Sequence, residues 1–376
     1  MNSTALMFCP IDVLYLRGNR LFGGPGDHGE ALMPPWPSVF SGSVLSRAIT
    51  DEGRLSEVID QKNGPSVVAE MFGDFTIRWI ALADENRHGS IFFPPPADLV
   101  VLKAGDTPEP VALATVKRNA FSGCASSLDQ DILPEYAVLR TQSQTKPDKG
   151  YWLTLDGLKA HLAGDKFDEG HLIRTSELWS TDPRLGIALD SVTRTAEETR
   201  IYTTDTIVLA KGIGFLCLFS CEKGYLPADG LVRVGGDGRG AEIFEYPDAP
   251  SDLGRPQKGW QRFRMILATP CPSVNGWLPP VVKKRDDGCY IELDGFKARL
   301  VSAAVPRYEV ISGWDVAIRK PKPAQRMIPA GSVFWFEVIT GDTAELDVLW
   351  ERGVISSKEY ADRRRDGFGS VWFGRI

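Results

Sequence analysis

The sequence predicts an α+β protein of two domains, residues 1–223 and 224–376, each a sheet with helices on one face. Its length of 376 residues suits two domains of ordinary size. Both halves begin with an apolar strand followed by a Gly/Pro-rich turn, and both contain many strand-like runs and few helical ones. Hydrophobic residues make up 43% and charged residues 24%, which is typical of a globular protein rather than a disordered one.

The first domain begins with a strand, a glycine loop, a proline turn and a helix. Residues 7–16 predict a buried strand that ends at the cations Arg17 and Arg20, and the stretches FGGPGDHG and MPPWPS follow it. Ser38 comes directly after Pro37 and predicts a helix N-cap. Apolar residues then recur at helical spacing from 40 to 49, and Gly53 ends the predicted helix.

Residues 182–204 predict a long β-hairpin that projects from the first domain. They form two strand-like runs joined by a polar stretch. In the second half, the runs SVFWFEVI and GFGSVWFGRI predict further strands.

The spacing of the cysteines and histidines predicts no metal site and no cofactor. The N-terminal sequence and the length of the apolar runs predict no signal peptide and no membrane span. The six cysteines are scattered, none has the two-residue spacing of a zinc knuckle, and the four histidines form no helical pair. The first ten residues lack a signal-peptide pattern, and the longest apolar run, around residues 207–219, is too short to span a bilayer. We therefore expect a cytoplasmic protein.

Basic residues concentrate in the C-terminal third of a chain whose net charge is -6. Residues 255–285 contain seven Lys or Arg and no Asp or Glu. The segment GWDVAIRKPKPAQR adds Arg319, Lys320, Lys322 and Arg326. Its two prolines favour an extended backbone, so these cations and Trp314 would point outward. Cations beside an aromatic side chain suit single-stranded RNA, and the alternative is a solvated loop.

Three other places could bind a phosphate or carry chemistry. The helix start at Ser38, with Ser41 and Arg47, offers free N–H groups, hydroxyls and a cation to a phosphate, or it is an ordinary capped helix. The stretch GGDGRG is a tight hairpin turn or a ligand loop, with Arg239 at its tip. His28 lies in the glycine loop as a surface side chain or as the general base of a metal-free ribonuclease.

Several stretches together resemble the RAMP superfamily of CRISPR proteins, and within it the third subunit of type III-B (Cmr) effector complexes. In chain order they are IDVLYLRGNRLFGGPGDHG, PPWPSVFSGSVLSRA, RLGIALDSVTRTAEETRIYTT, VRVGGDGRGAE, FRMILATP with GWLPP, GWDVAIRKPKPAQRMIPAGSVFWFE and GFGSVWFG. They span nearly the whole chain, although residues 55–180 carry little of the resemblance.

The resemblance implies two ferredoxin-like (RRM-like) domains with glycine-rich loops. It implies a non-catalytic subunit that grips the 5′ repeat-derived tag of the CRISPR RNA, meets target RNA only indirectly, and bridges the first backbone subunit to the large polymerase/cyclase-type subunit in antiviral defence. Arg17, Arg20 and the helix start would contact the tag, and segment 319–326 would hold RNA. The hairpin, with Arg194 and Arg200, would be a thumb between tag and guide. Three Arg and four acids give residues 182–204 a net charge of -1, so a steric role is favoured.

Two further functions stay open at this point. One is a RAMP endoribonuclease that processes CRISPR RNA, with His28 or the pair Tyr15 and Lys322 as acid and base. The other is a nucleotide-binding enzyme that uses GGDGRG. The sequence contains no compelling catalytic set, which favours the RNA-binding subunit.

Overall fold

The fold is known from a computed structural model. It describes residues 2–18, 28–60, 63–104, 107–120, 132–141, 146–190 and 192–376, without the side chains of Ala104, Ala188 and residues 197–200. The described residues form seven short α-helices: α1 (Pro37–Asp51), α2 (Leu55–Ile59), α3 (Gly64–Phe72), α4 (Leu155–Ala163), α5 (Thr175–Leu178), α6 (Asp347–Arg352) and α7 (Ala361–Arg365). None of these helices has the length and apolar character that a transmembrane span needs.

Strands dominate the structure. Those up to residue 221 are β1 (Asn2–Pro10), β2 (His28–Gly29), β3 (Phe75–Asp84), β4 (Ile91–Phe93), β5 (Leu99–Ala104), β6 (Thr107–Ala112), β7 (Ala114–Lys117), β8 (Glu135–Val138), β9 (Tyr151–Thr154), β10 (Leu172–Arg174), β11 (Trp179–Leu189), β12 (Ala196–Leu209) and β13 (Ile213–Cys221). The later ones are β14 (Asp229–Arg233), β15 (Gly240–Glu245), β16 (Arg262–Leu267), β17 (Cys271–Pro272), β18 (Val282–Arg285), β19 (Gly288–Leu293), β20 (Phe296–Ala304), β21 (Glu309–Ile311), β22 (Trp314–Asp315), β23 (Lys320–Pro321), β24 (Gln325–Ile328), β25 (Val333–Thr340) and β26 (Val371–Arg375).

Two large sheets organise the molecule. The first has the strand order β10-β9-β4-β3-β13-β1-β15-β14, and the second has the order β18-β19-β20-β25-β16-β26. This strand-rich mixture with few helices confirms the predicted α+β class, and the ferredoxin-like form of each domain stays a prediction.

Each of the two large sheets has apolar side chains buried on both faces, because successive residues of a strand point to opposite sides. In β16, Phe263 and Met265 belong to the outer core of the second sheet, whereas Ile266 lies between the two sheets. In β1, Phe8 faces the outer core of the first sheet and Met7 the middle layer. Because successive side chains of a strand point to opposite faces, runs of apolar residues are needed where both faces are covered.

Helix α1 covers the outer face of the first sheet. The Phe40 ring centroid lies 5.0 Å from that of Phe8 and 5.1 Å from that of Phe215. Val44, Ala48 and Ile49 join the same core, as their helical spacing predicted. The helix begins at Pro37 with Trp36 as N-cap and no side-chain cap. The predicted Ser38 cap was therefore wrong, because Pro37 lacks an N–H and suits the first helical position.

The middle layer joins the two sheets and contains a buried ionic cluster. The Phe93 ring of the first sheet packs edge-on against Trp372 of the second, with centroids 5.6 Å apart. Beside this layer, Asp98 Oδ1 lies 2.8 Å from His161 Nε2, and Asp98 Oδ2 lies 3.0 Å from Arg264 Nη1. All three side chains are buried, so the acid is paired rather than solvated.

The first sheet extends past the predicted domain boundary at residues 223 and 224. Strand β15 pairs with β1 from Leu6↔Glu245 to Pro10↔Ala241, and β14 pairs with β15. Residues 229–245, which the sequence assigned to the second domain, thus complete the first sheet. The division of the chain into two domains stays a prediction.

The predicted hairpin is present as β11 and β12. The ladder runs from Trp179↔Leu209 to Ile187↔Ile201 and continues after a bulge to Leu189↔Ala196. Gly186 lies under the Tyr202 ring, where an added Cβ would be 2.3 Å from Tyr202 Cζ. The aliphatic side chains of the opposite face, including Leu185 and Ile187, are exposed to solvent.

Candidate nucleic-acid interface

An open groove of about 430 Å³ lies between the two halves of the chain. The first half contributes Arg17 and Trp36, and the second contributes Tyr308, Glu309 and Val310. Gly18 and residues 29–32 complete the lining. A groove of this size at a junction between two parts of a fold is a common setting for a ligand.

Tyr308 lines the groove on the side of the second half, and Arg326 lies next to it. Antiparallel pairing of β21 with β24 places Val310 opposite Arg326. The Arg326 guanidinium carbon lies 4.9 Å from the centre of the Tyr308 ring, and this ring is 50% exposed. An exposed aromatic ring next to a cation is suited to stacking a base beside its phosphate.

Trp36 and Glu309 meet in the wall of the groove. Trp36 Nε1 donates to Glu309 Oε2 over 3.3 Å. Burial raises the pKa of Glu309, and the hydrogen bond from Trp36 opposes this increase. The contact ties the start of α1 to β21 and so fixes the width of the groove.

Two cations surround Tyr15 on the side of the first half. The Arg17 and Arg239 guanidinium carbons lie 5.4 Å and 5.0 Å from the Tyr15 ring centre. Arg239 Nη1 also pairs with Asp12 Oδ2 at 2.6 Å. The structure thus brings together Arg17 and Arg239, which lie far apart in the sequence.

The GGDGRG stretch is the turn between β14 and β15, as the hairpin interpretation predicted. Gly236 donates its N–H to the Tyr15 carbonyl over 2.9 Å. Gly235 has φ of 73°, and an added Cβ there would lie 2.8 Å from the Tyr15 oxygen. Glycine is needed because the turn packs directly on Tyr15 in a left-handed conformation.

Two of the three side chains predicted for a phosphate site at the helix start, those of Ser41 and Arg47, are engaged within the protein. Ser41 is buried and donates to the Asp366 carbonyl over 3.0 Å. Arg47 Nε is 2.7 Å from both Asp51 oxygens, and Nη1 donates to the Leu231 carbonyl over 2.8 Å. These bonds attach α1 to the rest of the protein, so the phosphate site predicted with Ser38 remains a prediction without support from Ser41 or Arg47.

The basic segment divides into parts with different surroundings. Lys322 Nζ lies 3.0 Å and 2.8 Å from the two carboxylate oxygens of Asp366. Burial raises the pKa of Asp366, although the Lys322 ammonium lowers it. Trp314, Arg319 and Lys320 are exposed on a small hairpin made of β22 and β23. The segment folds back on itself instead of remaining extended, through a turn between β22 and β23 in which Arg319 has φ of 51°.

The acid-free run 255–285 does not form one basic surface. Five of its seven cations pair with acids from other parts of the chain, in the ion pairs Arg255–Asp347, Arg262–Glu135, Arg264–Asp98, Lys283–Glu292 and Arg285–Glu292. Acids from other parts of the chain therefore neutralise much of the positive charge of this run.

The thumb cations are only partly described. Arg194 is exposed near the tip of the hairpin with φ of 59°. Arg200 lies in β12, but its side chain is outside the described residues, as is the whole of Arg20. Contacts of these three arginines with RNA stay predictions.

His28 is held by the hairpin. Its Nδ1 lies 3.0 Å from Thr203 Oγ1, and its Nε2 lies 3.1 Å from Asp205 Oδ2. The sequence did not indicate Asp205, nor the groove residues Trp36, Tyr308 and Glu309. Tyr308 had one weak signal, an aromatic residue directly after Arg307.

Residues 6–376 match the family model described as "CRISPR-associated protein (Cas_Cmr3)". The chain belongs to this family. The predicted resemblance to a Cmr-type CRISPR protein is thereby confirmed, and the wider RAMP label stays a prediction. No curated protein matches the chain.

Solved structures of Type III-B assemblies are similar to this chain at low identity. A chain from the cryo-EM structure of the Type III-B Cmr-beta bound to cognate target RNA and AMPPnP, state 1, is 13% identical. The match covers 97% of this chain and 94% of that one, with a TM-score of 0.47. A chain from Cmr-beta bound to cognate target RNA is also 13% identical, covers 98% and 96%, and has a TM-score of 0.46.

Proposed function

We propose that this Cmr3-family protein is a non-catalytic CRISPR RNA-binding subunit of a type III-B effector complex. It grips the 5′ repeat-derived tag and bridges the backbone subunit to the large polymerase/cyclase-type subunit. The observation that supports the proposal is the groove between the two halves, which Arg17 and Tyr308 both line, with Arg326 packed on the Tyr308 ring. Cations and an exposed ring in one groove are suited to a single strand rather than to a duplex.

The net charge of -6 restricts how such a protein binds RNA. A negatively charged chain has no general attraction for phosphate, so affinity depends on a local cluster of cations. Arg17, Arg239 and Arg326 supply this cluster around two tyrosines, and Arg239 also pairs with Asp12. Binding of the isolated chain is therefore expected to be moderate and strongly salt-dependent.

The test compares a CRISPR RNA that carries its 5′ tag with the same guide without the tag. Dissociation constants of the full chain are measured at several salt concentrations, and the RNA is inspected for cleavage. The proposal predicts tighter, salt-sensitive binding of the tagged RNA, which stays intact. Equal binding of the two RNAs would contradict tag recognition.

One observation favours a second candidate, the endoribonuclease that processes CRISPR RNA. Asp205 orients His28 through Nε2, and neighbouring Gly29 lines the groove; a substrate hydroxyl would have to replace Thr203 at Nδ1. A carboxylate that orients an imidazole is a common feature of general bases. Lys322 is a poor partner for Tyr15 in this chemistry, because its ammonium is already engaged by the Asp366 carboxylate at 2.8 Å. Metal-independent cleavage of repeat RNA, lost in His28→Ala, would make this candidate the better one.

The nucleotide-binding alternative has less support. The GGDGRG turn is followed by β15 rather than by a helix, so it lacks the turn-to-helix arrangement that commonly binds a phosphate. Saturable binding of ATP by the isolated chain would restore this alternative.

A further inference from the structure

The hairpin of β22 and β23 exposes three large apolar side chains at its tip. Trp314 is 58% exposed, Val316 49% and Ile318 47%. They alternate along five residues, and Arg319 and Lys320, both exposed, follow directly. Surface apolar residues scattered singly are normal, but three together beside two cations are typical of an interaction site.

The base of this hairpin is held by three charged side chains that are largely buried. Lys322 pairs with Asp366 at 2.8 Å, and the Lys322 N–H donates to the Gly313 carbonyl over 2.9 Å. Arg363 donates to the Ser312 carbonyl over 2.6 Å and to the Pro323 carbonyl over 3.0 Å. The two ends of the loop are thus fixed to the segment around α7.

The tip is also ordered from within. Asp315 Oδ1 accepts the N–H groups of Ala317 over 2.9 Å and Ile318 over 3.3 Å. Asp315 is the single acid among residues 313–322, and these bonds direct it into the turn. A loop that is fixed at both ends and at its tip loses little conformational entropy on binding, which favours affinity.

We propose that this loop is a docking tip for a partner protein, and that it fits an apolar socket bordered by carboxylates. Trp314 with Val316 and Ile318 supplies the apolar centre, and Arg319 with Lys320 supplies a cationic edge. Charge complementarity selects the acidic border, because the tip has two exposed cations and its one acid is engaged internally. Tryptophan and arginine are the residues most enriched at the energetic centres of protein interfaces.

RNA is the less suitable occupant of this tip. Trp314 alone could stack on a base, but Val316 and Ile318 offer no aromatic face and no hydrogen bond to a nucleotide. Trp314 and residues 315–320 neither line the groove nor have a recorded contact with its aromatic lining, whereas Arg326 packs on the lining residue Tyr308. The proposal therefore assigns Trp314, Arg319 and Lys320 to protein contact and leaves Arg326 with the groove.

The test measures covalent labelling of Trp314 by hydroxyl radicals, read by mass spectrometry, in four samples. They are the full chain alone, the chain with tagged CRISPR RNA, the chain in a complete assembly with the other Cmr subunits, and that assembly after ribonuclease treatment. We expect Trp314 labelling to fall several-fold in both assemblies and to stay unchanged with RNA alone. Protection by RNA alone would assign the tip to RNA, and undiminished labelling in the assembly would also overturn the proposal.

Variants provide the second readout. Trp314→Ala is expected to weaken association with the partner proteins about 30-fold or more, the size of effect found at interface hot spots, without lowering the melting temperature or the affinity for tagged RNA. Tyr225→Ala, at an exposed aromatic residue outside this loop, is the matched control and should associate normally. Unchanged association of Trp314→Ala would contradict docking at the tip. If wild-type chain joins no assembly, the complex-subunit proposal fails as well, whereas an intact assembly with reactive Trp314 overturns only the docking tip.

Discussion

The Lys322 ammonium lies 2.8 Å from an Asp366 carboxylate oxygen, so the central cation of the basic segment binds the protein's own C-terminal region. The sequence suggested one continuous clamp from Arg319 to Arg326. The structure instead divides the segment into three parts. Lys322 is anchored to Asp366, residues 314–320 form an exposed tip, and Arg326 packs on Tyr308 beside the groove. The cations of this basic segment therefore have different surroundings and do not act as one surface.

Replacing Lys322 is expected to affect stability more than RNA binding. Lys322→Ala leaves Asp366 largely buried without its main partner, which costs about 1–3 kcal/mol of unfolding free energy. Lys320→Ala removes the same charge at an exposed position and should stay within about 0.5 kcal/mol of wild type. Thermal unfolding of both variants checks the difference. A greater loss of tag affinity than of stability in Lys322→Ala would show that Lys322 contacts RNA.

The groove residues are expected to control RNA affinity. Tyr308→Ala removes a stacking face and should weaken binding of tagged RNA by about 1–3 kcal/mol, whereas Tyr308→Phe keeps most of it. Arg326→Ala should lower the slope of log K against log salt by about one phosphate contact. Binding titrations at several salt concentrations measure both effects.

Arg285→Ala is the control for charge in that experiment. It removes one cation at the edge of the second sheet, where Arg285 pairs with Glu292 at 2.8 Å. Its salt slope should equal that of wild type. Equal losses in Arg285→Ala and Arg326→Ala would indicate diffuse attraction and not a groove.

The Asp98 carboxylate should be essential for the packing of the two sheets. Asp98→Asn leaves the buried Arg264 guanidinium without a counter-charge, and breaking such a pair typically costs about 3–5 kcal/mol. Chemical denaturation gives the free energy of unfolding, and Asp294→Asn at an exposed position is the control. A loss below about 1 kcal/mol would show that the cluster contributes little to stability.

Stability is expected to fall as the pH decreases from 7 towards 5. Burial lowers the pKa of His161, although Asp98 raises it, so the folded protein keeps the ring neutral below the ordinary value of 6.5. The unfolded chain binds a proton there that the folded chain does not, so folding becomes less favourable as pH falls through 6.5. The melting temperature of His161→Gln should depend less on pH in this window, and His88→Gln, at an exposed histidine, should behave as wild type.

A second loss of stability is expected at lower pH. Burial on its own raises the pKa of Asp98, but His161 and Arg264 lower it below its ordinary value of 3.8. A carboxylate with a depressed pKa stabilises the fold above that value, and the contribution disappears as pH falls through the folded pKa.

Sequence patterns within a short stretch of chain correctly predicted helix α1 and the β11–β12 hairpin. Phe40 and Val44 at helical spacing indicated α1, and the two runs of residues 182–204 indicated the hairpin of β11 and β12. The sheet membership of β14 and β15 was not predictable in this way. Their pairing with β1 depends on contacts between segments far apart in the chain.

The sequence identified some of the cations in and beside the groove but did not predict the groove itself. Arg17 and Arg326 were candidates on charge alone, but nothing local indicates that residues 17 and 308–310 line one space. The positive charge of residues 255–285 is also partly compensated in the fold. Asp98, Glu135 and Asp347, from other parts of the chain, pair with three of its arginines. Charge patterns identify cations, whereas tertiary pairing decides which of them are exposed.

Ultraviolet cross-linking of tagged CRISPR RNA to the full chain, followed by peptide mapping, tests most directly whether the tag occupies the groove. We expect tag nucleotides to join peptides containing Trp36 or Tyr308, which line the groove, or Tyr15, which packs against the lining residue Arg17. The same peptides should be unlabelled when the RNA lacks its tag. Cross-links confined to other regions, such as the Tyr290 edge of the second sheet, would contradict it.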